Sequence, residues 1–382
     1  MKVFLLLVLI LGCSHVVTVE KFTLVKCGYL LETENGTWSK DQTLLLEDGI
    51  IFERNPKIIP AAATIVDYSD KYIIPGLIDA HTHVFLEDPT MGDDFSKGLL
   101  SFIKNTTDEE RMEIGKKRLL SLQHSGFTSV RDLGNQGQVD VLNLKVKGSR
   151  LYSSGPGFSP RWGQFPPGTP EEILRKEYLN MNQDPPVIFP YPLIKLYADE
   201  EPNTTITDLN LLRKWVDWAH KHSLKVAAHA ILKKGISAAL LANVDTIEHG
   251  TEATPGQLKG MAERNIILVP TYSCKLIKSS GNLNVETAFG SDNYFSREKE
   301  GIVFGEATLE MLIAFQKCGL SGGEILRMAT ISAAKTLGME KKIGQLNRGA
   351  FADFIVMNKN PEKDLNELKF PVAIFQNGMK VR

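Results

Sequence analysis

Between residues 77 and 338 of this 382-residue chain, short apolar runs alternate with segments of helical period, and no other feature restricts the fold so tightly. Parallel strands need long crossovers, which helices supply, so this alternation predicts repeated parallel βα units. After the strand that opens at Leu77, the apolar runs fall at residues 127–133, 151–154, 193–197, 225–230, 246–249, 267–271 and 287–290. Helical period covers a segment opened by the capping-box spacing Thr106 to Glu109 and ended near His124. It returns at residues 171–182, in a helix capped by Thr207 and ending near His222, and at residues 235–242 and 255–263. Eight strands with intervening helices is the count of a (β/α)8 TIM barrel, whose functional residues gather where the strands end. Residues 273–286 alone separate the seventh run from the eighth, so the seventh helix is expected to be abbreviated or missing.

The two ends of the chain read differently. Residues 21–32 and 42–54 are β-rich and include Asp48-Gly49; residues 353–357 and 372–375 are β-rich and precede Asn377-Gly378. Both dipeptides favour type I′ hairpins. The expected class is therefore α/β, with a small composite β-sandwich domain built from both chain ends. Its N-terminal part takes residues 21–75, the barrel 76–340, and its C-terminal part 341–382. Residues 1–12 read as a signal peptide and 13–20 as a linker, because Lys2 precedes an apolar run too short to span a bilayer. The run ends Leu9-Ile-Leu-Gly-Cys13, which resembles a bacterial lipoprotein processing site, with Leu11 departing from the small residue usual there. Export follows as an expectation: a membrane-anchored lipoprotein on the periplasmic face with lipid on Cys13, otherwise a periplasmic or secreted protein. Cys27, Cys274 and Cys318 have neither zinc-ribbon nor disulfide-framework spacing and read as small apolar fillers. With 44 basic against 45 acidic residues there is no electrostatic case for nucleic acid, which leaves a small-molecule partner. Membrane contact is expected only through the lipid anchor, and homo-oligomers are compatible with the pattern.

Polar residues close the apolar runs where a barrel site needs them: His81 and His83 on the first, Lys195 on the fourth, His229 on the fifth, His249 on the sixth and Asp292 after the eighth. On a strand His81 and His83 point to one face, half of a zinc-type site. Lys195 lies between Ile194 and Leu196, and a plain ammonium there would be poorly solvated and repelled by metal ions. Carboxylation of Lys195 would replace it with a carbamate able to bridge two cations. His124, His220 and His222 sit at helix C-terminal turns, where a cation favours the helix dipole, and His15 lies in the linker. Arg131 and Asp132 end the second strand and either face the site rim or pair with each other.

With these ligands on the page, the chain from Lys21 to Arg382 resembles the binuclear amidohydrolases, in particular the branch with imidazolonepropionases and Xaa-Pro dipeptidases. The motifs that carry the likeness are Pro75-Gly-Leu-Ile-Asp-Ala-His-Thr-His83, Gly126-Phe-Thr-Ser-Val-Arg-Asp132, Thr246-Ile-Glu-His-Gly250, Phe289-Gly-Ser-Asp292 and Gly349-Ala-Phe-Ala-Asp-Phe-Ile-Val356. The resemblance implies two divalent metal ions, zinc first by ligand chemistry. His81, His83 and Asp292 would hold one ion, His229 and His249 the other, and carboxylated Lys195 would bridge them. It also implies hydrolysis of a carbon–nitrogen bond by a hydroxide shared between the ions, with Asp292 as the catalytic proton carrier.

The loop Phe158-Ser-Pro-Arg-Trp-Gly-Gln164 replaces a Gly-Gly-His-Gly segment common in that branch, and Ala230, Ile231 and Leu232 stand where a tyrosine often follows the fifth-strand histidine. Dipeptide cleavage therefore does not carry over by motif. Arg161 is a candidate for gripping a substrate carboxylate, or for stacking on Trp162. Two function classes stay open: a hydrolase of small amides, cyclic amides or dipeptide-like bonds, with lactones at its edge, and an exported binding protein that keeps the fold with little or no turnover.

Overall fold

The computed structural model describes residues 22–88, 95–134, 137, 139–142, 144, 147–161, 169–200, 205–295 and 297–382. The leader, Cys13, His15 and residues 162–164 lie outside the described residues.

The chain opens with β1 (Thr23–Glu32), β2 (Thr37–Glu47), β3 (Ile50–Arg54) and β4 (Thr64–Pro75). Asp48 and Gly49 turn β2 into β3 at φ 46° and 81°, the double left-handed conformation that a type I′ hairpin requires. β1 lies between β2, antiparallel, and β4, parallel. The end of the chain joins the same sheet, since strand Phe354–Met357 pairs with β4 and strand Ala373–Gln376 pairs with Phe354–Met357. Asn377-Gly378 forms the second expected hairpin, with φ 49° and 70°. Seven strands thus share one sheet drawn from both termini. Its core includes Val25, Leu30, Leu44, Ile51, Ile73, Phe354, Val356 and Phe375, all buried.

β5 (Leu77–Thr82), β6 (Phe127–Asp132) and β7 (Arg150–Ser153) form a parallel three-stranded sheet. Then come β8 (Gly157–Ser159), β9 (Tyr178–Asn180), β10 (Leu193–Tyr197), the two-residue pair β11 (Asp199–Glu200) and β12 (Thr205–Ile206), β13 (Lys225–Ala230), β14 (Thr246–His249) and β15 (Ile267–Val269). β15, β14, β13, β10, β8 and β9 make a second parallel sheet in that order. β5, β6, β10 and β15 are buried at every position, as expected of parallel strands covered on both faces.

Among the described residues, helices supply most of the crossovers, though none is seen between β6 and β7. α1 (Phe95–Asn105) and α2 (Asp108–His124) follow β5; α3 (Glu171–Glu177), α4 (Leu209–Lys221), α5 (Lys233–Ala242), α6 (Pro255–Arg264) and α7 (Cys274–Asn282) complete the set to β15 and beyond. The capping box of α2 is Thr107 with Glu110, one residue later than the Thr106 spacing implied. Asp208 rather than Thr207 caps α4, because the Thr207 hydroxyl donates to the Tyr197 carbonyl at 2.6 Å. α3 stops at Glu177, short of the expected Asn182, since residues 178–180 pair with β8 and bury Tyr178 against Tyr197.

Two expectations about the last repeats need correction. The seventh helix is not abbreviated: α7 has nine residues, beside ten in α5 and α6. Ser273 caps it, and Cys274 at its first turn is disulfide-bonded to Cys318, so these cysteines are not apolar fillers. Residues 287–290 do not form a regular strand. They nevertheless link the two sheets: Ala288 N donates to Leu268 O at 3.0 Å, Ala80 N to Phe289 O at 2.9 Å and Asp292 N to His81 O at 2.7 Å.

Candidate metal centre

The parallel register brings the polar strand ends together. Tyr197 of β10 aligns with His229 of β13, and Ala230 with His249 of β14, while the 287–293 segment runs beside β5 through the Asp292–His81 backbone bond. Three residues of this tier take left-handed backbone conformations that L side chains rarely adopt: His249 (φ 67°), Thr271 (φ 45°) and Asp292 (φ 53°). Such strain persists only where surrounding contacts impose it, and it collects at functional sites. At His249 it has a plain effect, because the strand ends there and the imidazole is redirected from the alternation that governs Thr246, Ile247 and Glu248.

His83 Nε2 and His81 Nε2 lie 3.3 and 3.5 Å from Asp292 Oδ1. One ligand atom from each of these three residues falls within 4.8 Å of the others, a separation that one cation can span. His249 Nδ1 lies 3.7 Å from Asp292 Oδ2 on the other side of the carboxylate. Ring centroids of His81 and His249 are 5.1 Å apart, and those of His249 and His229 4.7 Å apart, so the cluster is continuous. Lys195 closes it: Nζ sits 5.7 Å from the Tyr197 ring centroid, and Tyr197 in turn lies 5.1 Å from His229. All six sequence candidates for metal binding, His81, His83, Lys195, His229, His249 and Asp292, therefore converge.

The electrostatics fit a cation. Burial, reinforced by the Lys195 charge, holds His81 well below the usual imidazole range; burial and the neighbouring imidazoles do the same to His229. Burial brings His249 down to about 4. Neutral imidazole is the form that ligates metal. Burial also acts downward on His83, but its hydrogen bond and charge contact with Asp292 win and raise it. For Asp292 burial acts upward and is overcome by His81, His83 and His249, so the carboxylate stays ionised. Lys195, 2% exposed, is brought down to about 8 by burial. His229 Nε2 is buried with no hydrogen-bond partner, its nearest carboxylate oxygen being Asp199 Oδ1 at 3.7 Å. An orphaned imidazole nitrogen inside a cluster of four histidines and a carboxylate is the arrangement a metal would satisfy.

The far nitrogens of two ligands are also engaged: His83 Nδ1 reaches Gly134 O at 3.1 Å and His81 Nδ1 reaches Glu248 Oε2 at 2.8 Å, while His249 Nδ1, the atom that faces Asp292, lies 3.3 Å from Thr271 Oγ1. Glu248, Thr271 and Asp79 were not singled out from sequence. Asp79 accepts from His81 N at 3.1 Å, Ser291 N at 3.0 Å and Ser291 Oγ at 2.5 Å, tying β5 to the segment that carries Asp292. Burial raises Asp79 to about 7. A signal existed in the motifs, since Asp79 and Glu248 are ionisable residues inside otherwise apolar strands.

Arg131 and Asp132 do not pair with each other. Arg131 turns inward to Glu248, 2.8 Å away, whereas Asp132 accepts from Val84 N at 2.8 Å and keeps its other oxygen unpartnered. His220 pairs with Asp245 at 2.9 Å and His222 bonds Trp218 O at 2.7 Å, both away from the cluster. Arg161 is exposed at the end of the β8 loop, where its backbone N donates to Ser159 Oγ and to the buried Glu200, each at 3.1 Å.

Comparison with known proteins agrees with this geometry. Residues 72–379 match the model of the amidohydrolase family. Ochratoxinase of Aspergillus niger is 25% identical, covering 93% of this chain and 85% of its own. Imidazolonepropionase of Clostridium tetani is 24% identical, covering 92% and 91%. Among solved structures, a Xaa-Pro dipeptidase with methionine bound in its active site superposes with a TM-score of 0.77 at 19% identity, over 94% of this chain and 99% of that one. A family match over most of the sequence, with every expected ligand in one cluster, establishes the assignment: the chain belongs to the amidohydrolase family, hydrolases that act on carbon–nitrogen bonds.

Proposed function

We propose that the cluster is a binuclear centre, with His81, His83 and Asp292 holding one divalent ion, His229 and His249 the other, and Lys195, carboxylated on Nζ, bridging the two. The observation that carries this is the orphaned Nε2 of His229 beside His249, together with a buried Lys195 amine that burial brings down to about 8. A neutral lysine amine can take up carbon dioxide, and burial favours that form. Imidazole-rich ligation makes zinc the first choice. When bound, the ions supply Lewis acidity and a hydroxide near neutral pH. Asp292, ionised and 26% exposed on its side chain, is placed to accept a proton from the attacking water and pass it to a leaving nitrogen.

The two parallel sheets, linked through residues 287–293, support the reading of a closed eight-stranded (β/α)8 barrel over residues 76–340, with the sheet from both termini as its composite β-sandwich partner. The substrate is a small amide, cyclic amide or dipeptide-like compound. Arg161, at the mouth, would meet a carboxylate on it. The reading of a non-catalytic binding protein rests on an abbreviated seventh unit together with the altered loop at residues 158–164, and of these two grounds the first falls, since α7 is present. Export is part of the proposal and draws support from the Cys274–Cys318 disulfide, since such bonds persist in oxidising compartments, with a lipid on Cys13 as the form of anchoring proposed.

The test is metal analysis and a turnover screen of N-acyl amino acids, dipeptides, cyclic amides and lactones, on protein prepared with bicarbonate and divalent metal. Two ions per chain and a 44-dalton adduct on Lys195, the mass of added carbon dioxide, are expected, with turnover lost in His229→Ala. An unmodified amine with no bound metal, or full activity in His229→Ala, would overturn the reading.

A further inference from the structure

Beneath the metal ligands lies a closed polar network that the proposed reaction does not use. Glu248, Arg131 and His81 are each at most 1% exposed. Arg131 Nη2 donates to Glu248 Oε1 at 2.8 Å, and Thr246 Oγ1 donates to the same oxygen. Arg131 Nη1 donates to Thr246 Oγ1 at 3.2 Å, and Nε donates to Ala80 O, next to His81 in β5. Both contacts on Glu248 Oε1 are thereby fixed, and Oε2 is left for His81 Nδ1 at 2.8 Å. An ionised carboxylate only accepts, so the imidazole must carry its proton on Nδ1. Nε2 then presents its lone pair toward His83 and Asp292. His83, by contrast, meets a backbone carbonyl with its far nitrogen, whereas His81 meets a carboxylate there.

We infer that Glu248, held by Arg131, is a positioning residue that fixes the tautomer and orientation of His81 and strengthens it as a metal ligand. This rests on the binuclear reading, because it assigns Glu248 a task only if His81 ligates an ion. A carboxylate behind a ligating imidazole raises its basicity, and loss of such a partner lowers metal affinity by about 10–100-fold.

A simple structural role for the Arg131–Glu248 pair would also make substitutions harmful, so the experiment separates metal affinity from folding. Wild type, Glu248→Gln and the double variant Arg131→Met/Glu248→Gln are compared by chelator competition for zinc and by melting of the metal-free form. Glu248→Gln should release zinc about 10–100-fold more readily. The double variant, which removes the stranded guanidinium charge, should recover metal-free stability without recovering affinity. Should Glu248→Gln fail to fold, the double variant still gives the answer. Wild-type affinity in either variant overturns the assignment of Glu248 alone; a wild type that takes up no zinc overturns the binuclear reading and this assignment with it.

Discussion

His83 and Asp292 satisfy one another at 3.3 Å, whereas His229, on the far side of the same cluster, buries a ring nitrogen that meets nothing. The first half of the site is held together by its own charges, with Asp292 raising His83 and His83 in turn lowering Asp292. The second half consists of neutral, desolvated imidazoles and an amine brought down by burial. In the first half the contact with Asp292 raises the His83 imidazole, whereas in the second burial pushes both imidazoles and the amine toward their neutral forms. The same six ligands therefore combine a pair that is stable without metal and a pair that is costly without it.

The largest effect should come from cutting the charge that organises the first half. Asp292→Asn removes the anion facing three imidazoles and the proposed proton carrier together. Turnover should fall by roughly 10²–10⁴-fold, the range of a lost general base, with further loss if metal leaves. The metal-free protein should melt at lower temperature, since His83 loses its partner. A variant with normal turnover would show that Asp292 neither carries the proton nor holds the ion.

A smaller effect separates the halves by pH. Burial lowers His249 from 6.5 to about 4, and His81 and His229 move in the same direction. The unfolded chain thus binds protons between these values that the folded chain refuses, so metal-free stability is complete above pH 6.5 and is lost as pH falls toward 4. For His249 alone the loss is on the order of 3 kcal/mol. His83, which is raised, acts oppositely: its contribution is present below the unfolded value and fades as pH climbs through the folded one. Removing that opposing residue with His83→Gln should steepen the acid-side decline of melting temperature in chelator. A decline unchanged or shallower in His83→Gln would mean that His83 does not titrate in the sense opposite to His249.

The ligands were legible because each closes an apolar run, where an ionisable side chain has no bland use, and the hairpins because Asp48-Gly49 and Asn377-Gly378 name their own conformation. What supports the ligands was not. Glu248 acts through residues 117 and 167 positions away, a separation no local pattern encodes. The eighth strand looked regular in sequence, yet the turn at Asp292, with φ 53°, and bonds to both neighbouring sheets leave it as isolated bridges. α7 was expected to be abbreviated because residues 273–286 alone separate the seventh run from the eighth, yet that span holds nine helical residues, with the Ser273 cap and the disulfide from Cys274 to Cys318 anchoring the first turn.

The least change that should still register lies at Thr271, which supports His249 in the costly half. A β-branched residue at φ 45° is strained by roughly 1–2 kcal/mol, and its 3.3 Å hydrogen bond to His249 returns about 1 kcal/mol or less. Asparagine adopts this conformation far more readily and keeps an oxygen that can face Nδ1. Thr271→Asn should therefore raise the metal-free melting temperature by a few degrees at unchanged zinc affinity, as expected for about 1 kcal/mol in a chain of this size. Glycine would be a poorer choice, because its unfolded-state entropy costs about as much as the strain it removes. If Thr271→Asn melted no higher but lost zinc, the threonine hydroxyl would be a specific support of His249, and the strain at this position would be the cost of holding that ligand in place.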